Sequence, residues 1–325
     1  MMKIQILKAL SEAEGYVSGE ALSRAAGRSR TAVWQWIEEL RADGYVIEAA
    51  PRRGYRLLAR PDRLYPWEVE ARLSTRFIGR RIEYRERVDS TNDLAKSLAE
   101  EGAPEGLVVV AEEQLKGKGR RGRSWASPFG LGVWVSIVLR PAVPPYEAPR
   151  AALIAALAAC RAVEETAGVP VQVKWPNDVL VHGKKVAGIL VEMEAELEEV
   201  RFLVAGVGIN ANLPAGAFPE DARDQATSLM AATGRKVDRV QLLAALLTHL
   251  EAGYLQWMEK GFDPLLDEVR RKMAYLGEPV EVIGASRRWT GTAVDLAPDG
   301  ALLVKDPEGR TVPVYAGDVS LRRGR

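Results

Sequence analysis

One glycine-rich cationic stretch limits what this chain can fold into more than any other feature. Residues 114–136 read QLKGKGRRGRSWASPFGLGVWVS, with Lys116, Lys118, Arg120, Arg121 and Arg123 interleaved with Gly117, Gly119 and Gly122. Apolar runs at 107–111 and 132–139 flank it and read as strands, so the stretch between them is a loop. Glycines let backbone N–H groups approach an anion closely and the side chains add positive charge, which makes phosphate the natural guest. Gly117 to Gly122 spells G-x-G-x-x-G, and Gly117 to Ser124 nearly spells a P-loop with Arg123 in place of the lysine. Both patterns require a helix to open where they end. The residues immediately after them include Pro128, Gly130 and Gly132, which no helix tolerates, so neither pattern applies. A solvated basic surface loop is the other reading of these residues.

Composition narrows the chemistry. The 325 residues are 47% hydrophobic and 27% charged with a formal net charge of +1, an ordinary globular balance with length for two or three domains. No run of 18 apolar residues exists, and the amphipathic N-terminus is unlike a signal peptide, so a cytoplasmic location is expected. A single cysteine, Cys160, excludes an internal disulfide framework and a cysteine-based zinc site. With only His182 and His249, far apart in the chain, neither a histidine-centred triad nor a histidine-rich metal site is expected. Catalysis would have to come from Lys, Arg, Asp, Asn and backbone groups. Near-neutral charge argues against a bulk nucleic-acid binder but allows a local basic face.

Taken in order, residues 1–62 read as a winged helix-turn-helix. Short helices at 4–10 and 18–26 precede a third that starts at Ser29 and buries Val33, Ile37 and Leu40 at i, i+4 and i+7. Gly44 closes it, and strands at 45–48 and 55–58 flank the turn Pro51-Arg52-Arg53-Gly54. Ser29, Arg30, Thr31, Trp34, Gln35 and Glu38 then face outward for DNA, with Arg52 and Arg53 as phosphate contacts from the wing. A protein-interaction module is the alternative.

Residues 63–275 mix strands and helices. A helix is expected at 65–73, and a strand at 82–88 ends at Asp89-Ser90-Thr91-Asn92. Hydroxyl and amide side chains before an amphipathic helix are first an N-cap and second a hydrogen-bonding site for a neutral polar ligand. A core helix spans 150–166, and strands surround a His182-Gly183 turn, with Pro176 confining that region to a sheet edge. Lys185, just past the turn, either snorkels or neutralises a transferring phosphoryl group. A buried strand ends at Asn210, residues 211–226 form a lid or a disordered loop, and a helix covers 237–260. Residues 276–325 change to short strands at 279–283, 288–296, 302–306 and 310–315, an antiparallel barrel of SH3 type.

Together these motifs resemble the biotin–protein ligases. Ser90-Thr91-Asn92, the loop with SPFG behind it, Lys174-Trp-Pro-Asn-Asp178, Gly183 to Glu192 and Gly206-Val-Gly-Ile-Asn210 stand in that family's order. The flanking domains resemble the bifunctional type that is also the biotin operon repressor. The resemblance implies a multidomain α+β protein with a central mixed α/β ligase domain built on a class II synthetase-like sheet. It implies ATP and Mg²⁺ as cofactors, biotin as substrate, and transfer through biotinyl-5′-AMP to a lysine of a biotin carboxyl carrier protein. By motif match, biotin would meet Ser90, Thr91, Asn92, Gln114, Lys118, Gly119, Arg120 and Lys185. The nucleotide would meet Arg120, Arg121, Arg123, Trp125, Asn210 and Arg322, with Mg²⁺ near Asp178. Lys185 and Arg120 would be catalytic. Operator DNA and a homodimer when adenylate-bound are the further partners implied, and no membrane. Alternatives are a lipoate–protein ligase and a ligand-sensing regulator without catalysis.

Overall fold

The computed structural model describes residues 2–196, 198–220, 222–284, 288–315 and 317–321. The chain forms two compact units, Met1–Arg63 and Leu64–Arg325.

In the first unit, helices α1 (Met2–Glu12), α2 (Gly19–Ala26) and α3 (Arg30–Ala42) precede a hairpin of β1 (Val46–Ala50) and β2 (Gly54–Ala59). Both inner helix starts are capped: Ser18 accepts from Ala21 N–H and Ser29 from Ala32 N–H. Val33, Ile37 and Leu40 are buried, as their spacing requires, and Thr31, Trp34 and Gln35 are exposed. Ser29 is therefore the cap of α3 rather than part of its outer face. Arg52 takes a left-handed φ of 65° at the wing tip, and the Arg53 guanidinium lies 4.1 Å from the centre of the Tyr16 ring.

The second unit holds two sheets. Its elements begin with α4 (Pro66–Glu70), β3 (Ile82–Val88), α5 (Thr91–Glu100), β4 (Val108–Gln114), β5 (Val133–Leu139) and α6 (Arg150–Ala167). Next come β6 (Gln172–Lys174), β7 (Asp178–Val181), β8 (Lys184–Glu196), β9 (Glu199–Ile209), α7 (Leu229–Thr233), α8 (Arg239–Lys260) and α9 (Asp263–Lys272). The last strands are β10 (Pro279–Ile283), β11 (Arg288–Leu296), β12 (Leu302–Lys305), β13 (Thr311–Val314) and β14 (Asp318–Leu321).

The larger sheet runs β3-β4-β5-β9-β8-β7-β6, with β3 parallel to β4 and every other pair antiparallel. Its centre is dry: every residue of β5 is buried, and α6 and α8 pack over one face with their alanine- and leucine-rich sides. Strand β6 lies at the edge, where the neighbouring Pro176 does not interrupt a ladder. The second sheet is antiparallel, ordered β13-β12-β11-β10-β14, and is joined to the first by the Trp175 indole N–H, which donates to Gly300 O at 3.0 Å. The helix expected over 65–73 is shorter, ending at Glu70. Helices α7 and α9 were not apparent from sequence. Cys160 is buried in α6, and burial pushes its thiol up to about 12, so it is no nucleophile.

Candidate active site

The sequence motifs converge on one cleft over the middle of the larger sheet. Ser90, Thr91, Asn92, Gln114, Lys118, Gly119, Arg120, Trp125 and Lys185 all line it. Its floor is made of Gly188, Gly206 and Gly208, and here the missing side chains matter. A Cβ on Gly206 would lie 2.1 Å from Asn92 Oδ1, and one on Gly208 would lie 2.6 Å from Trp125 Nε1. Side chains can lie flat on these strands only because the glycines leave room.

At one end of the cleft, β3 delivers the start of α5. The side-chain cap expected of Ser90-Thr91-Asn92 does not form. Ser90 occupies the N-cap position yet makes no side-chain cap hydrogen bond. Gln114 Oε1 instead accepts from Thr91 N at 2.9 Å and from Thr91 Oγ1 at 3.0 Å, while Gln114 Nε2 donates to Ser127 Oγ at 2.8 Å. Ser136, in the middle of β5, brings its hydroxyl to 2.8 Å from Thr91 Oγ1 and 2.6 Å from Asn92 Oδ1. These groups form a buried, neutral, hydrogen-bonding wall suited to a small polar ring.

The cationic loop forms the rim. It is folded on itself: Trp125 N donates to Gly117 O at 2.8 Å, Gly119 N to Arg123 O at 2.7 Å, and a short 3₁₀ turn spans Arg120–Gly122. It is also docked on the second sheet. Arg120 Nη1 donates to Asn177 Oδ1 at 3.0 Å and to Gly317 O at 3.4 Å, and Arg121 Nη1 to Ile283 O at 3.3 Å. Arg123 pairs with Asp318, whose carboxylate also lies 3.8 Å from Arg121. Arg120 is half-buried, and burial holds its guanidinium below the usual range, the mark of a cation that an incoming anion would relieve. Lys118 pairs with Asp93.

Lys185 stands beside the rim loop. Its Nζ lies 2.7 Å from Asp178 Oδ1 and 4.9 Å from the centre of the Trp125 ring. The Trp125 indole N–H is buried against Gly208 and has no hydrogen-bond partner among the described residues. Residues 222–229 strap down the backbone of this wall: Lys185 N donates to Gln225 O at 2.7 Å and Thr227 N to Lys185 O at 2.8 Å. Asn210 belongs to that strap. Its Nδ2 donates to Thr227 O at 3.1 Å, its N to Val186 O at 2.8 Å, and it does not line the cleft.

Arg121, Arg123 and Asp178 also stand outside the lining, one contact behind it, and Arg322 lies outside the described residues. No group of three His, Cys, Asp or Glu converges on one point among the described residues. Reading by sequence did not assign Asn177, Ser136, Gly206 or Gly208 to the site. Ser136 carried a signal, since a hydroxyl within the apolar run VWVSIVL must find a partner.

Residues 84–210 match the biotin/lipoate A/B protein ligase family, residues 3–56 an HTH domain, and residues 275–322 the biotin protein ligase C terminal domain. The chain is 40% identical to the bifunctional ligase/repressor BirA of Bacillus subtilis, with 94% of each chain covered. It is 35% identical to the biotin–[acetyl-CoA-carboxylase] ligase of Mycobacterium tuberculosis, covering 79% of this chain and 97% of that one. Among solved structures, it is similar to a biotin protein ligase from Aquifex aeolicus in complex with biotin and ATP. That likeness has a TM-score of 0.65 and 33% identity, over 75% of this chain and 100% of the other.

Proposed function

The chain belongs to the family of biotin protein ligases that double as repressors, and we infer that its cleft joins biotin to ATP and then passes biotin to a protein lysine. One observation carries this reading. A neutral hydrogen-bonding wall at Thr91 and Gln114 and an ammonium at Lys185 line a single cleft, beside a cationic rim.

A biotin carboxylate oxygen beside Lys185 attacks the α-phosphorus of ATP, the bond to the β-phosphate bridge breaks, and pyrophosphate leaves. The amine of a lysine on a biotin carboxyl carrier protein then attacks the carbonyl carbon of the mixed anhydride. An amide forms, AMP leaves, and the amine proton goes to solvent. Neither step needs a histidine or a covalent enzyme intermediate; the protein positions the reactants and meets charge that grows on phosphorus oxygens. Thr91 and Gln114 hold the ureido ring with Ser90 and Asn92 around them, and Lys118, Gly119 and Arg120 close over the ligand. Arg120, Arg121 and Arg123 meet the phosphates, Trp125 packs beside the nucleotide, and Asn210 fixes the strap behind Lys185. Magnesium arrives with ATP as part of the substrate. The chain supplies no metal cage among its described residues, so the phosphates would carry the ion, with Asp178 beside Lys185 as the carboxylate at hand.

Incubation with labelled biotin, MgATP and a carrier domain tests this reading. Label on the carrier is expected; transfer of lipoate instead of biotin would overturn it. Within the rim, Arg120→Ala should raise KM for MgATP and lower kcat by about tenfold or more, since a buried charge-assisted contact is lost. Arg123→Ala should raise KM for MgATP by less than Arg120→Ala does, because Arg123 is exposed and reaches the phosphates from outside the cleft lining. Pyrophosphate release measured against MgATP concentration gives both values.

For the N-terminal domain, residues 1–62, we propose operator DNA as the partner, read by Arg30, Thr31 and Gln35 from α3 with Arg52 and Arg53 on the backbone and Ser29 fixing the helix start. The adenylate-bound protein would act as a homodimer in the cytoplasm, with 63–275 as the catalytic region and 276–325 as the domain behind the rim. Adenylate-dependent gel retardation of a biotin-gene promoter is expected. Failure to shift at low salt, where phosphate contacts are strongest, would remove repression from the function.

A further inference from the structure

Asn92 stands among the ligand-facing residues, yet its carboxamide is fully engaged by the protein. Nδ2 donates to Glu192 Oε2 at 2.6 Å and to Leu190 O at 3.3 Å, which leaves Oδ1 facing Ser136 Oγ at 2.6 Å. Ser136, Gly206 and Leu190 are directly paired across β5, β9 and β8, so the three form one row of the sheet. The carboxamide lies over the centre of that row, in space that a Cβ on Gly206 would take. Ser136 is wholly buried, and Asn92 and Thr91 are nearly so.

Counting hydrogens decides what this seat does. Thr91 and Ser136 offer two hydroxyl hydrogens to three close oxygen contacts: Ser136 with Asn92, Ser136 with Thr91, and Thr91 with Gln114. Asn92 Oδ1 carries no hydrogen, so the Ser136 hydrogen is committed there. The Thr91 hydrogen must then go to Ser136 Oγ or to Gln114 Oε1, both inside the protein. Thr91 Oγ1 is thereby left with a lone pair and no hydrogen for a ligand.

From this we infer that Ser136 and Glu192 are positioning residues that, through Asn92, hold Thr91 as an obligate acceptor for a ligand N–H. The inference rests on reading the cleft as a biotin site, and it deepens that reading: the seat selects a ring that presents N–H, as a cyclic urea does, and disfavours one that presents only acceptors. Ser136 without its hydroxyl would release the carboxamide and leave the Thr91 hydroxyl held by Gln114 alone. Gln at position 192 keeps an oxygen for Asn92 Nδ2; Leu does not.

Calorimetric titration of the full-length protein with biotin tests the idea, alongside steady-state kinetics in MgATP. Ser136→Ala and Glu192→Leu should each weaken biotin binding by about tenfold or more, with KM for MgATP within about twofold of wild type. Glu192→Gln should restore binding to within about threefold. Because both residues act through Asn92, the double variant S136A/E192L should bind little worse than the weaker single variant. Biotin affinity unchanged in the single variants, or full additivity in the double, would overturn the inference. A rise in KM for MgATP matching the loss of biotin affinity would also overturn it, since general damage moves both. Glu192 lies on the partly buried wall, so its two variants decide the matter even if S136A misfolds. Wild-type protein that fails to bind biotin would instead remove the reading of the cleft itself.

Discussion

Lys185→Ala should slow adenylate formation by about 10²–10³-fold, the usual scale for losing one preorganised group that meets developing negative charge. Biotin affinity should fall much less, because Thr91 and Gln114 hold the other end of the ligand independently of Lys185. A control variant is needed, since Lys185 Nζ is 2.7 Å from Asp178 Oδ1. Removing the ammonium alone leaves that carboxylate facing the incoming phosphates, and the single variant then combines lost attraction with new repulsion. Lys185→Met with Asp178→Asn separates the two: it should recover part of the rate if repulsion contributes and none if it does not. Single-turnover pyrophosphate release measures the chemistry, and calorimetry with biotin measures binding. Equal losses in both would show that Lys185 merely anchors biotin.

Much of the frame around this lysine was legible in the chain. The apolar run at 133–139 could only be a buried strand, and it is β5. The spacing of Val33, Ile37 and Leu40 fixes the inner face of α3, and Pro176 belongs beside an edge strand. Local chemistry sufficed in each case. It misled at Ser90-Thr91-Asn92, where a capping sequence at a helix start is the lower-order explanation. The side chains are drawn away by Gln114, Ser136 and Glu192, partners far along the chain that no local pattern encodes. Residues 211–226 misled in a similar way. Their proline and glycine content suggested a lid or disorder, but part of this segment is tied to the Lys185 backbone by Gln225. The charged residues of the rim were visible as cations; their docking on Gly317, Asp318 and Ile283 was not, because it depends on how the second sheet is placed.

Glu112→Ala should lower the stability of the second unit by about 3–5 kcal/mol, the scale for leaving one member of a buried ion pair without its partner. Glu112 and Arg239 are wholly buried, with Arg239 Nη1 2.9 Å from Glu112 Oε2. The other carboxylate oxygen accepts from Leu64 N at 2.8 Å, and Arg239 Nη1 also donates to Gly132 O at 3.0 Å. The pair thus joins the first residue of the unit, β4, the start of β5 and the first turn of α8. For a domain of this size the loss corresponds to a melting point lower by about 10 °C. Burial makes the result sharply dependent on how the charge is removed. Glu112→Gln with Arg239→Met eliminates both charges and keeps an acceptor for Leu64 N–H, so it should melt within a few degrees of wild type, on the order of 1 kcal/mol away. Location adds a functional consequence. Glu112 O accepts from Gly130 N at 3.0 Å, and Gly132 comes directly after the loop, so the pair ties both feet of the cationic rim. In Glu112→Ala, KM for biotin and for MgATP should therefore rise together at temperatures well below melting, unlike the biotin-only effect expected of Ser136→Ala. Thermal unfolding followed by circular dichroism and kinetics at a temperature where every variant is folded are the measurements. A single variant that melts with wild type, or a charge-free double variant as unstable as the single, would mean that packing rather than the ion pair holds this junction together.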